Sequence, residues 1–158
     1  RAFHADRWLS RTCATVAAPA RLLPEATEAG VEIVSEVPPG MMLRADPEQL
    51  FRIILNLVRN ARQAIAATGK PGSVAISARE EEEAWMITVA DTGPGLPKKA
   101  QDNLFTPFQG GARKGGSGLG LAIAAELVRG HGGSVMLQIT WPEGTVFEIH
   151  LPKGDGAI

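Results

Sequence analysis

Between Leu50 and Ile65 the apolar residues fall at Leu50, Ile53, Ile54, Leu57, Val58, Ala61 and Ile65, the three- and four-residue spacing of a helix with one buried face. Its ends are punctuated. Asp46 suits the N-cap, Pro47 the first helical position, and Gln49 completes an Asp-x-x-Gln capping box. Thr68-Gly69 and Pro71 mark its end. Upstream, the stretch from about Asp6 to Ala29 follows a helical pattern that Gly30 would close. VEIVSEV, residues 31–37, alternates like a strand and stops at Pro38-Pro39-Gly40, and MMLRA, residues 41–45, is a short candidate strand. SVAISAREEEEAWMITVAD, residues 73–91, reads as two strands joined by an acidic turn. Residues 92–120 are rich in turn formers and hold eight of the 18 glycines. A helix from about Leu119 to Arg129 is closed by GHGG, and SVMLQITWPEGTVFEIHLP, residues 134–152, reads as two strands around Pro142-Glu143-Gly144. With no repeat and no linker, these elements predict an α/β (α+β) two-layer sandwich. Its mixed sheet of about five strands would be covered on one face by about three helices.

Composition narrows the function classes. At 158 residues the chain has room for one domain, expected over 1–158, which would bury roughly 70% of its unfolded surface. Its 44% hydrophobic and 21% charged content is that of a soluble globular protein. A net charge of −1 supplies neither an overall basic footprint for nucleic acid nor a polybasic membrane signal. The single cysteine, Cys13, excludes an intrachain disulfide framework, fits a reducing compartment and reads as a small buried apolar residue. No apolar run reaches membrane-spanning length, and RAFHADRW is no signal peptide. The opening without Met gives the expectation of a processed or excised piece, with residues 1–7 the remnant of an upstream connection.

The candidate chemistry begins on the punctuated helix. At 100° per residue, Asn56, Asn60 and Gln63 fall within an arc of about 60° beside the apolar face. Amide oxygens there are neutral hard ligands, suited to a magnesium ion already carrying phosphate oxygens. Taken alone, they also read as ordinary half-exposed polar residues. In VADTGPGLP, residues 89–97, a strand ends in Asp91, whose carboxylate can accept from an exocyclic amine such as that of adenine. Gly93 and Gly95 permit close backbone approach, although the motif by itself is also a simple Asp-Thr-Gly turn. GGARKGGSGLGLAIA, residues 110–124, places Gly116, Gly118 and Gly120 before a helix, where free N–H groups make an anion cradle. It is neither a dinucleotide fingerprint, since Leu121 stands where glycine is needed, nor a P-loop, since Ser117 follows Gly116. Arg113 and Lys114 are cations within reach of phosphates, or ordinary loop charges. Thr145 opens the last strand, where its hydroxyl could support Asp91 or simply favour β structure. Glu80 to Glu83 read as a solvated hairpin tip rather than a ligand cluster, because adjacent loop carboxylates do not converge on one point.

In this order the segments resemble the catalytic and ATP-binding domain of sensor histidine kinases, within the wider Bergerat-fold (GHKL, HATPase) superfamily. NLVRNA (56–61) looks like the N box, DTGPG (91–95) the G1 box, LFTPF (104–108) the F box, GSGLGL (116–121) the G2 box and GTVFEIHLP the last strand. The stretch ADPEQLFRIILNLVRNARQA looks most like the nitrogen-regulatory subfamily, and the resemblance runs from about residue 8 to 152.

The resemblance implies Asn60 as the magnesium ligand, with Asn56 supporting it as the second catalytic residue. It implies Asp91 on the adenine amine, aided by Thr145, with Gly93 and Gly95 shaping the base pocket. Residues 96–116 would be the ATP lid, anchored by Phe105 and Phe108. Gly116, Ser117, Gly118, Leu119 and Gly120 would hold the phosphates. Many family members carry Lys or Arg and then an aromatic where this chain has Gln63 and Ala64, leaving that phosphate contact to Gln63 itself or to Arg62, Arg113 or Lys114. The implied cofactors are ATP and Mg2+. The implied partners are the dimerisation and histidine phospho-acceptor domain of the same kinase and the receiver domain of a response regulator, in the cytoplasm, without nucleic acid or direct membrane contact. His4, His131 and His150 all lie outside the His-Glu/Asp-x-x-x-Pro context of the acceptor. Relatives that hydrolyse ATP or phosphorylate serine generally carry Glu one turn before the metal-binding Asn. Asn56 is a poor general base, which favours histidine as acceptor. A non-catalytic ATP-binding module and a serine kinase or ATPase relative are the alternatives.

Overall fold

The computed structural model describes residues 13–15, 30–38, 41–106 and 119–154. Along the chain the elements are β1 (Cys13–Thr15), β2 (Val31–Glu36), β3 (Met42–Arg44), α1 (Pro47–Ala66), β4 (Gly72–Glu80), β5 (Ala84–Asp91), α2 (Lys98–Gln101), α3 (Gly120–Gly130), β6 (Ser134–Trp141) and β7 (Gly144–Pro152). β2, β4, β5, β7 and β6 form one sheet in that order. β2 runs parallel to β4 because α1 carries the chain back between them, whereas the hairpins β4–β5 and β6–β7 and the β5–β7 pair are antiparallel.

The start of α1 follows its local chemistry. Asp46 is extended and its Oδ1 accepts from the Gln49 N–H at 3.0 Å. The other half of the expected capping box is absent. The Asp46 N–H donates instead to His131 Nε2 at 3.1 Å, from a residue 85 positions away. The apolar stripe works as its spacing predicts: Ile53, Leu57 and Ile65 are fully buried against a sheet face built of the rungs Trp85–Leu151, Ile87–Ile149 and Val89–Phe147. Alternation along β5 and β7 puts the next rung, Asp91–Thr145, on that same helix-covered face. A polar pair therefore ends an otherwise apolar ladder.

Two expectations are corrected. The helix expected over 6–29 gives way at Cys13–Thr15 to a strand, paired antiparallel with β3. Thr12, Thr15 and Val16 are β-branched, and so short an apolar run fits either period. The rest of that helix, and the burial of Cys13, lie outside the described residues. The third helix among the described residues is instead α2, a single turn after Pro97 within the Gly-rich stretch. Four residues are too few to show a period. The mixed five-stranded sheet with helices is as expected.

Candidate functional site

The site gathers where β5 ends and β7 begins, beneath α1. Asp91 is 8% exposed, and its Oδ1 accepts from the Gly93 N–H at 2.8 Å, turning the carboxylate back over its own loop. A Cβ on residue 93 would stand 2.9 Å from that oxygen and 3.3 Å from the Ala64 methyl of α1, so only glycine fits between them. Gly95 has φ +82°, and a Cβ there would collide with the Trp141 carbonyl of the β6–β7 turn. Gly144 is also tightly placed, since a Cβ there would meet the Asp91 carbonyl oxygen at 2.5 Å. Thr145, 4% exposed, is the register partner of Asp91, and its hydroxyl lies 3.0 Å from that of Thr140. Thr140 Oγ1 in turn accepts from the Leu96 N–H at 2.9 Å. Thr92 extends the ladder past Asp91: its N–H donates to Ser73 O at 3.1 Å while its hydroxyl accepts from Ser73 N–H at 2.9 Å.

The second wall is helical. Asn56, Asn60 and Gln63 are each half-buried on α1, at the shoulder of its apolar face. Gly120, first residue of α3, sits where a Cβ would be 3.7 Å from Asn56 Oδ1, so the amide row meets the start of α3. Leu119, the N-cap of α3, has an apolar side chain and caps none of the helix N–H groups with it. At the far end of the helix pair His131 joins α3 to α1. Its Nε2 accepts from Asp46 N–H and carries no proton, so Nδ1 donates to Leu127 O at 2.8 Å.

Of the residues singled out in the sequence, the structure brings together Asp91, Gly93, Gly95 and Thr145 on one side and Asn56, Asn60, Gln63, Leu119 and Gly120 on the other. Phe105 packs edge-on against the buried Phe147 at 6.1 Å between centroids and 72° between planes. Phe108, Arg113, Lys114, Gly116, Ser117 and Gly118 lie outside the described residues. Sequence reasoning missed Thr140 and His131. His131 figures in the sequence only within a helix-closing GHGG and as a histidine outside the acceptor context, and Thr140 has no local signal. The acidic residues 80–83 behave as a tip: Glu80 and Glu81 pair with Lys153 and Arg79, and no cluster able to hold a metal occurs among the described residues.

The model of the family described as histidine kinase-, DNA gyrase B-, and HSP90-like ATPase matches residues 45–155. The sensory histidine kinase/phosphatase NtrB of Klebsiella oxytoca is 38% identical over 133 residues, 77% of this chain and 37% of that protein. The chain thus spans little more than a third of that curated relative. Among solved structures, full-length ShkA in complex with AMPPNP superimposes with a TM-score of 0.69 at 33% identity, covering 84% of this chain and 28% of that one. Histidine kinase ThkA in complex with the response regulator TrrA gives a TM-score of 0.66 over 85% of this chain and 38% of that one, and at 24% identity it speaks for the fold alone. On the family match, which spans residues 45–155, the chain belongs to the histidine kinase-, DNA gyrase B- and HSP90-like ATPases.

Proposed function

We propose that this chain binds ATP with magnesium and donates the γ-phosphate to a histidine on the dimerisation domain of the same kinase, from which it passes to an aspartate of a response-regulator receiver domain. The observation that carries the reading is the convergence of the Asn56 amide with the glycine start of α3, beside a buried Asp91 whose loop glycines pack closely against their neighbours and so fix the carboxylate at the strand end. The pocket fits a nucleotide on its own chemistry. Asp91 can accept from an exocyclic amine, and the glycine-led N-terminus of α3 favours phosphate through the helix dipole. With no carboxylate or histidine cluster among the described residues to cage a metal, the Asn60 amide would share magnesium with phosphate oxygens. Bound Mg-ATP supplies the transferable phosphoryl group and the neutralising charge. The chain's own residues position it: Asp91 and Thr145 hold the base, Gly118 and Gly120 the phosphates, and Phe105 and Phe108 the segment between them.

Asn56 bears on the acceptor. An amide takes no proton at neutral pH, so neither water nor a serine hydroxyl is activated there, whereas a neutral imidazole is already nucleophilic. The reading places the domain in the cytoplasm. No helix among the described residues is long and apolar enough to cross a membrane. Gln63, standing where relatives carry a cation, favours a second reading, a module that binds ATP and transfers nothing.

One experiment separates the two. The chain is mixed with magnesium and ATP radiolabelled at the γ-phosphate, with and without its cognate helical domain. Acid-labile, alkali-stable label on the helical domain is expected. Tight binding without label would leave the binding module, and phosphate release or acid-stable label would point to an ATPase or serine kinase. Asn60→Asp and Asp91→Asn should each lower ATP affinity at least about 100-fold with the fold retained, as loss of a charged or metal-mediated contact predicts. Unchanged binding in both would overturn the site assignment.

A further inference from the structure

We propose that Thr140 is a positioning residue that fixes the direction of the Thr145 hydroxyl proton and thereby selects adenine over guanine, an inference that rests on the nucleotide reading above.

The β6–β7 pair carries a register shift between Leu137 and Ile139. Strict alternation from Leu137, which faces Phe147 on the helix-covered side, would turn Thr140 outward. The extra residue reverses the parity, leaving Ile139 exposed and Thr140 opposite Thr145. There the two hydroxyl oxygens are 3.0 Å apart, and Thr140 also accepts from Leu96 N–H at 2.9 Å. Leu96 is held in place, since Gly95 at φ +82° lies against the Trp141 carbonyl and a Cβ at 95 would come within 3.2 Å of Thr140 Oγ1.

Each hydroxyl has one proton. An oxygen that accepts from a backbone N–H becomes a better donor, so Thr140 gives its proton to Thr145. Thr140 is the only hydrogen-bond partner of the Thr145 hydroxyl among the described residues, which leaves the Thr145 proton for a ligand. Asp91, its partner across the strands, offers acceptor oxygens alone when ionised. The pocket thus sets an acceptor beside a donor. Adenine presents an amine donor beside a ring-nitrogen acceptor and matches, whereas guanine presents a carbonyl acceptor beside an N–H donor and meets like against like.

The test measures ATP and GTP dissociation constants by calorimetry for the unmodified chain, Thr140→Val and Thr140→Ser. It adds Leu96 amide hydrogen exchange in nucleotide-free protein. The valine variant should lose about tenfold in ATP affinity while GTP changes little, collapsing the ATP/GTP ratio by about tenfold, the size of one hydrogen bond. Its Leu96 amide should exchange about tenfold faster. Serine should restore both readings to within about twofold. A valine variant that keeps the ratio, or loses ATP and GTP equally, would overturn the proposal. Failure of the unmodified chain to bind ATP at all would remove the nucleotide reading, and this inference with it.

Discussion

The two ends of β5 handle negative charge in opposite ways. At one end a single carboxylate, Asp91, is buried and takes a hydrogen bond from the backbone two residues on, under glycines pressed against neighbouring backbone. At the other, Glu80, Glu81, Glu82 and Glu83 stand exposed at the hairpin tip, and their partners are ion pairs with half the side chain in water: Glu80 is 55% and Glu81 51% exposed. A buried carboxylate is costly unless fixed donors meet it, so the chain around Asp91 must be rigid. The tip carboxylates keep their hydration, cost little and constrain nothing. Density of acidic residues therefore says less about a site than what one acidic residue is packed against.

The largest effect should come from breaking the rigid end. Gly95→Ala demands a left-handed conformation of an alanine and drives its Cβ into the Trp141 carbonyl, which cannot swing aside because it belongs to the β6–β7 turn. The expected loss is about 2–4 kcal/mol in urea unfolding. A loss below about 0.5 kcal/mol would mean that the loop yields and that the two ends of β5 are equally pliable.

An intermediate effect should follow from a single neutral hydrogen bond, the one that ties α1 to α3. His131→Asn keeps a donor for Leu127 O but withdraws the acceptor that the Asp46 N–H uses. It should cost about 1 kcal/mol, with His131→Gln, whose amide oxygen reaches the Nε2 position, recovering part of it. Equal losses in the two variants would show that the residue serves only as the end of α3.

That bond also marks how far the sequence could be read. The start of α1 was legible because Asp46, Pro47 and Gln49 act within one turn, and the strands because alternation is local. The partner of the Asp46 N–H was not, since it comes from 85 residues away. Thr140 was invisible for a related reason: its inward aim depends on the register of two strands, which a single irregularity reverses. β1 was misread as helix because its pairing with β3 is settled by tertiary contact across residues with no clear period. The site residues were legible as types in an order, while Asp91's burial and the approach of Asn56 to Gly120 needed the fold.

The smallest effect belongs to the tip, where pH provides the probe. The Lys153 ammonium, hydrogen-bonded to Glu80 at 2.6 Å, holds that carboxyl below its ordinary value of 4.5, chiefly through the hydrogen bond and then through charge attraction. A depressed folded value means that the pair's stabilisation is present above the unfolded carboxyl's range and is lost as pH falls through the folded value. Glu80→Gln preserves shape and removes the charge. Its stability deficit should be small at pH 7, shrink as 1 M salt screens the pair, and vanish once the pH lies below the folded value, where the native carboxyl is itself neutral. A deficit independent of pH would assign the effect to packing of the side chain. A deficit as large as that of Gly95→Ala would mean that the hairpin tip, too, holds the sheet together, and the contrast between the two ends of β5 would be lost.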